Sequence, residues 1–231
     1  MIAARHAFLT LITGALLALV AGARADVNPL TGNFSLEYVD CTFSRGFAWQ
    51  LSRIYSARSA YRGIFGHKWK SLIEHRLDIQ PGLITVREYG GDNQNNFAPL
   101  SPTVYASRAF PAQKLTLNPG EWWVRTFSPD GETKEYYDLR GRLIRLQEKN
   151  QFVDIQYNSQ GIISRISDPL GQQMIFSVNA KGLVTNIRRI DDKATPPSSE
   201  CRYEYDSQDQ LISARNESAK TYRYEYDRQG R

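Results

Sequence analysis

From about Tyr136 to the end of the chain one short pattern keeps returning, and it limits the fold more than any other feature of the sequence. An alternating segment ends in an aromatic or Val followed by Asp or Asn; two or three residues later comes Gly, then a pair of Leu, Ile or Val residues. The copies are Tyr137-Asp138 with Gly141, Tyr157-Asn158 with Gly161, Val178-Asn179 with Gly182, Tyr205-Asp206 with Asp209 where Gly is expected, and Tyr226-Asp227 with Gly230. Their starts, 137, 157, 178, 205 and 226, are spaced by 20, 21, 27 and 21, and the long interval holds the polar, Pro-bearing insertion Asp191 to Ser199. Tyr203-Glu204-Tyr205 and Tyr222-Arg223-Tyr224-Glu225-Tyr226 alternate aromatic and charged residues, the period of a half-buried strand. An Asp or Asn side chain at the strand end can bond the backbone two residues on, and the Gly accepts positive φ, so the chain reverses there. Each unit therefore reads as a β-hairpin. A lone hairpin is marginal in water, so the copies must pack against one another.

Tandem Tyr-Asp-x-x-Gly units of this length resemble the YD repeats of RHS proteins and teneurins over roughly residues 137–231. The repeat-defining residues are Tyr137, Asp138, Gly141, Tyr157, Gly161, Gly182, Tyr205, Asp206, Tyr226, Asp227 and Gly230, with Asn158, Val178-Asn179 and Asp209 as departures. The preceding region resembles the domain of unknown function that stands before the repeats in many bacterial RHS proteins. It opens with Val27-Asn28-Pro29-Leu30-Thr31-Gly32-Asn33-Phe34, passes through Leu51-Ser52-Arg53-Ile54-Tyr55, and reaches Gly63-Ile64-Phe65-Gly66 before Trp69. That family commonly places Gly directly before the Trp; here it is Lys68. The residues themselves predict strands over Phe34 to Val39, Ala48 to Tyr55, Leu83 to Tyr89 and Glu121 to Phe127, a turn at Ser128-Pro129-Asp130-Gly131, and Phe65 and Trp69 as core anchors.

The resemblance implies an all-β chain, an N-terminal β-rich domain followed by tandem hairpins forming part of an open β-spiral or shell. It also implies a non-enzymatic structural role around a C-terminal toxin or effector, with further YD repeats or such a toxin domain as partners, in cis or from another chain. A competing reading is an extracellular carbohydrate-binding or cell-contact module that takes surface glycans. The chain ends at Arg231 halfway through a hairpin, after four and a half repeats, so a truncated or remnant product with an open strand edge is expected.

The start of the chain is set apart from this. Arg5 precedes an uncharged apolar run from Ala7 to Ala21, which ends at the small-residue site Ala23-Arg24-Ala25. The run is shorter than a spanning helix needs and is broken by Thr10, Thr13 and Gly14. Residues 1–25 read as a cleaved export signal, 26–135 as the head domain and 136–231 as the repeats, giving a secreted, periplasmic or cell-surface protein without a membrane anchor. Losing Arg5 and Arg24 takes the formal charge from +5 to +3. The basic residues are interleaved with acids, as in Arg202, Glu204 and Asp206, which argues for a solvated strand face and against nucleic acid as a partner.

Nothing in the sequence nominates catalysis, a metal site or a cofactor. His67 and His75 have no ligand-type neighbours at metal spacing. The loop Asp92-Asn93-Gln94-Asn95-Asn96 carries one carboxylate and reads as solvated rather than as a cation site. Asp168-Pro169-Leu170-Gly171 is followed by Gln172-Gln173 and a further repeat, and it reads as a repeat turn rather than as the self-cleavage sequence of RHS toxin cores. Trp122-Trp123 and the repeat tyrosines read as the packed face of a sheet, with sugar stacking as the alternative. Cys41 and Cys201 could form one bridge in an oxidising compartment, joining the first region to the last.

Overall fold

The computed structural model describes residues 24–91, 93–127, 131–191, 199–228 and 230. The segment expected to be an export signal as far as residue 23, Asp92, most of the turn at 128–131 and the insertion over 192–198 lie outside the described residues.

Among the described residues the regular structure is all β apart from two three-residue 3-10 turns. A four-stranded sheet holds β1 (Arg24–Asn28), β2 (Asn33–Thr42), β3 (Gln50–Ser56) and β6 (Trp69–Lys70). The hairpin of β4 (Arg62–Gly63) and β5 (Gly66–His67) lies between the last two. A second sheet of fifteen strands runs from β7 (Arg76–Gln80) to β21 (Thr221–Arg223), and every strand in it pairs with the next strand in the chain. All these pairings are antiparallel, so the sheet is a meander of hairpins, as the repeat pattern requires.

The long sheet curls but does not close. By the end of β13 (Thr133–Tyr137) it has come round to its own beginning: the Leu77 N–H in β7 donates to Gly141 O at 2.8 Å, and Arg76 bridges to Arg142. Sheets twist with one hand, and bulges add local bend. Here the register shifts at Tyr136/Tyr137, Gln156/Tyr157, Ser177/Val178 and Glu204/Tyr205, one bulge in each of the first four repeats and always at its aromatic or Val position. The sheet passes through residues 135 and 136, where the sequence suggests a domain boundary, inside a single strand. One hydrophobic core contains head residues such as Phe43, Phe65 and Trp69 together with wall residues such as Val153, Ile187 and Tyr203. Phe65 and Trp69 are buried as anchors, as expected from the sequence.

Candidate functional site: the lined inner face of the repeat wall

The repeat turn is built from the acid or amide that ends the strand. Asp138 Oδ1 accepts from the backbone N–H groups of Arg140 and Arg142, while Gly141 N–H donates to Asp138 O. The same set recurs at Asn158 with Gln160 and Ile162, at Asn179 with Lys181 and Leu183, and at Asp206 with Gln208 and Gln210. Asn serves as well as Asp because only an acceptor oxygen is needed. Asp209, in the glycine position, holds φ at 64°. Arg62 and Lys181 both bind its carboxylate and pull its pKa down, which holds this side chain against the head.

The repeat tyrosine does a second job. Tyr157 donates its hydroxyl to Leu143 O at 2.8 Å, Tyr205 to Val184 O at 2.7 Å and Tyr226 to Leu211 O at 2.7 Å. Each acceptor is the first residue of the return strand of an earlier unit, next to that unit's bulge. The hydroxyl thus ties one hairpin to another where the ladder is interrupted. Val178 has no hydroxyl to offer at the equivalent place.

The head lies against the inner face of this wall and touches unit after unit. Val184 N–H donates to Ile64 O at 2.8 Å, His67 N–H to Asp209 O at 3.2 Å, and Glu217 N–H to Asp40 O at 3.0 Å. Gln172, fully buried, receives Ser44 and Arg45 backbone N–H groups on Oε1 and donates through Nε2 to Arg45 O and Asp168 Oδ2. Trp69 Nε1 donates to Tyr226 at 3.0 Å.

At the centre of the contact sits a buried charge. Arg53 Nε donates to both oxygens of Asp40, at 3.0 and 2.8 Å, and Tyr203 donates to Asp40 Oδ2 at 2.9 Å. The guanidinium carbon lies 4.7 Å from the ring centre of Tyr38, 4.6 Å from Trp69 and 5.5 Å from Tyr224. Head and wall therefore each supply part of an aromatic cage, which compensates a cation removed from water. Burial raises the Asp40 pKa; Arg53 and the Tyr203 hydroxyl pull it back.

A family model described as a domain of unknown function, DUF6531, matches residues 25–95, and one described as Teneurin YD-shell matches residues 124–231. This is an RHS/YD-repeat chain. A search of the curated proteins returns no match. The YD-shell match and the curled meander describe a structural, shell-like protein.

The first coil of the YD-repeat chain, β7 to β13, has a polar interior that the sequence did not announce. Arg125, almost fully buried, bonds Glu88, Glu135 and Gln113, and Glu135 also takes hydrogen bonds from His75 at 2.9 Å and from the Tyr137 hydroxyl. Burial alone would raise the Glu135 pKa, but Arg125 and His75 hold it at about 2. His75 thus serves as a partner of Glu135, while His67 is half-buried in the β4–β5 hairpin. A second carboxyl, the half-buried Glu74, receives the Tyr61 hydroxyl and the Ile64 and Ser71 N–H groups, and loss of solvent around it lifts its pKa to about 7. For Glu88, Arg125 and Glu135 the only sequence signal was their place on inward positions of strands.

The remaining sequence candidates fall into place around the wall. Asp168-Pro169-Leu170-Gly171 is a repeat-type turn between β16 (Ile163–Ser167) and β17 (Gln173–Val178), with Asp168 N–H donating to Gln172 O. Trp123 is buried against Tyr105, whereas Trp122 is 36% exposed and packs edge-on to Tyr136. Tyr203 is buried and Tyr205, Tyr222, Tyr224 and Tyr226 are half-buried, all on the side facing the head. Cys41 and Cys201 are both buried free thiols, one on the head and one on the wall.

Proposed function

We propose that this chain is a non-enzymatic, exported wall segment whose head domain lines the inner face of a YD-repeat shell, and that the shell encloses or presents a C-terminal toxin or effector. The observation that carries this reading is the continuity of head and wall: units from Asp138 to Tyr226 all contribute bonds or packing to one shared core. A lining held this way sets the curvature of the wall as it is laid down. Further YD-type strands, in cis or from another chain, would then add at β21.

The backbone of β21 supports that addition. Tyr224 N–H donates inward to Ile212 O, so by the alternation of an antiparallel ladder Tyr222 also points inward while Arg223 directs its N–H away from the sheet. Arg223→Pro therefore blocks strand addition without removing an existing ladder bond. In sedimentation experiments residues 26–231 should associate with rising concentration, and the Arg223→Pro variant should not. A wild-type chain that melts cooperatively and stays monomeric at every concentration would overturn the strand-addition part of the proposal.

The exposed Trp122, packed edge-on to the half-buried Tyr136, favours a second reading, a glycan-binding surface on the outside of the wall. Binding on a glycan array that disappears with Trp122→Ala would support it. Trp123 is unsuited to that test because it is part of the core.

A further inference from the structure

We infer that Cys41 and Cys201 form a disulfide that covalently locks the head to the repeat wall. The two residues come from opposite sides of the contact, Cys41 from β2 and Cys201 from β19 (Ser199–Tyr205), and neither has any exposed surface. Strict alternation would turn only one of Asp40 and Cys41 inward. The bulge between Val39 and Cys41 turns both in, so that Asp40 reaches Arg53 and Tyr203 while Cys41 enters the core beside them. Cys201 Sγ–H lies 3.2 Å from Asp40 O, the carbonyl of the peptide that leads into Cys41, and Glu217 N–H holds the same oxygen at 3.0 Å. The neighbouring Cys201 thiol, and then burial, raise the Cys41 pKa well above the usual thiol value.

A raised pKa leaves little thiolate in the docked state, and thiolate is the attacking species. Oxidation therefore belongs to the docking step, while the sulfurs are still open to a small disulfide such as oxidised glutathione. The thiolate of one cysteine attacks the glutathione disulfide, forming a mixed disulfide and releasing one glutathione thiolate. The second cysteine, as thiolate, then attacks the protein sulfur of that mixed disulfide and releases the other. Two protons leave the protein, and one glutathione disulfide becomes two glutathione thiols. The resulting bridge closes a loop of roughly 160 residues, a length for which a cross-link restricts the unfolded chain strongly.

The test is a thiol count after refolding the full chain from denaturant with oxidised glutathione, followed by denaturation without reductant. We expect the count to fall from two to zero, with a cross-linked peptide pair containing Cys41 and Cys201 in the unreduced digest. Reductant should then lower the denaturation midpoint of the oxidised chain and leave that of Cys41→Ala/Cys201→Ala unmoved. Two reactive thiols after oxidative refolding, or zero thiols with both cysteines carrying glutathione, would overturn the inference.

Discussion

Gly141 and Gly171 occupy equivalent turns at positive φ, 80° and 87°, yet they answer to different demands. A Cβ at Gly141 would stand 2.1 Å from Leu77 O, the backbone of the first strand of the coil, while one at Gly171 would meet nothing within 4 Å. Gly171→Ala should cost roughly 1–2 kcal/mol, the left-handed penalty of an L-residue. Gly141→Ala should cost clearly more, because the place where the sheet meets itself must open, and urea denaturation of the two variants gives the comparison. Tyr205→Phe removes only the hydroxyl bonded to Val184 O and should cost about 1 kcal/mol in the same assay. The turn residues were legible in the sequence because their chemistry is local: an acceptor at the strand end and a residue tolerant of positive φ three places on. The two places where glycine was missed carry the same backbone with a side chain, Lys68 at φ 65° and Asp209 at φ 64°. Lys68 is held there by its N–H to Tyr61 O and its Nζ to Ala57 O, contacts that no local pattern announces.

The wall and the 3-10 turn before it respond to pH through two desolvated carboxyls with opposite signs. Glu135 on β13 has its folded pKa lowered from 4.5 to about 2, so its contribution is complete above pH 4.5 and disappears as pH falls through about 2. That shift corresponds to about 3 kcal/mol. Glu135→Gln should lose this at neutral pH and show a flatter acid limb. Glu74, in the 3-10 turn Leu72–Glu74, has its folded pKa raised from 4.5 to about 7, so its protonated form favours folding below pH 4.5 and the gain is lost as pH rises through 7. Glu74→Gln should flatten the decline between pH 4.5 and 7 when denaturation midpoints are plotted against pH. Strand existence and the alternation of the repeats were readable because period two is a local property. The bulges were not, since an extra residue is fixed by the neighbouring strand. That is why neither the inward turn of Asp40 and Cys41 nor the Arg125 and Glu135 seam could be drawn from the sequence.

For the molecule as a whole, the sequence divides into head and tail while the structure joins them through a caged arginine. Arg53→Met should destabilise the chain by about 3–5 kcal/mol, because Asp40 is left buried without its cation, and Asp40→Asn in the same background should recover part of the loss. The repeats could be counted from residues 137 to 230, but the head's place on their inner face depends on contacts between residues more than 100 positions apart, such as Ser44 with Gln172 and Trp69 with Tyr226. Those contacts fold a wall and its lining as one unit, a coupling that native-state hydrogen exchange measures. The slowest amides of β2 and β3 in the head and of β17 and β19 in the wall should exchange through one opening of the same free energy, and shift together in Arg53→Met. A head that exchanges through its own lower-energy opening, with the wall still protected, would contradict it.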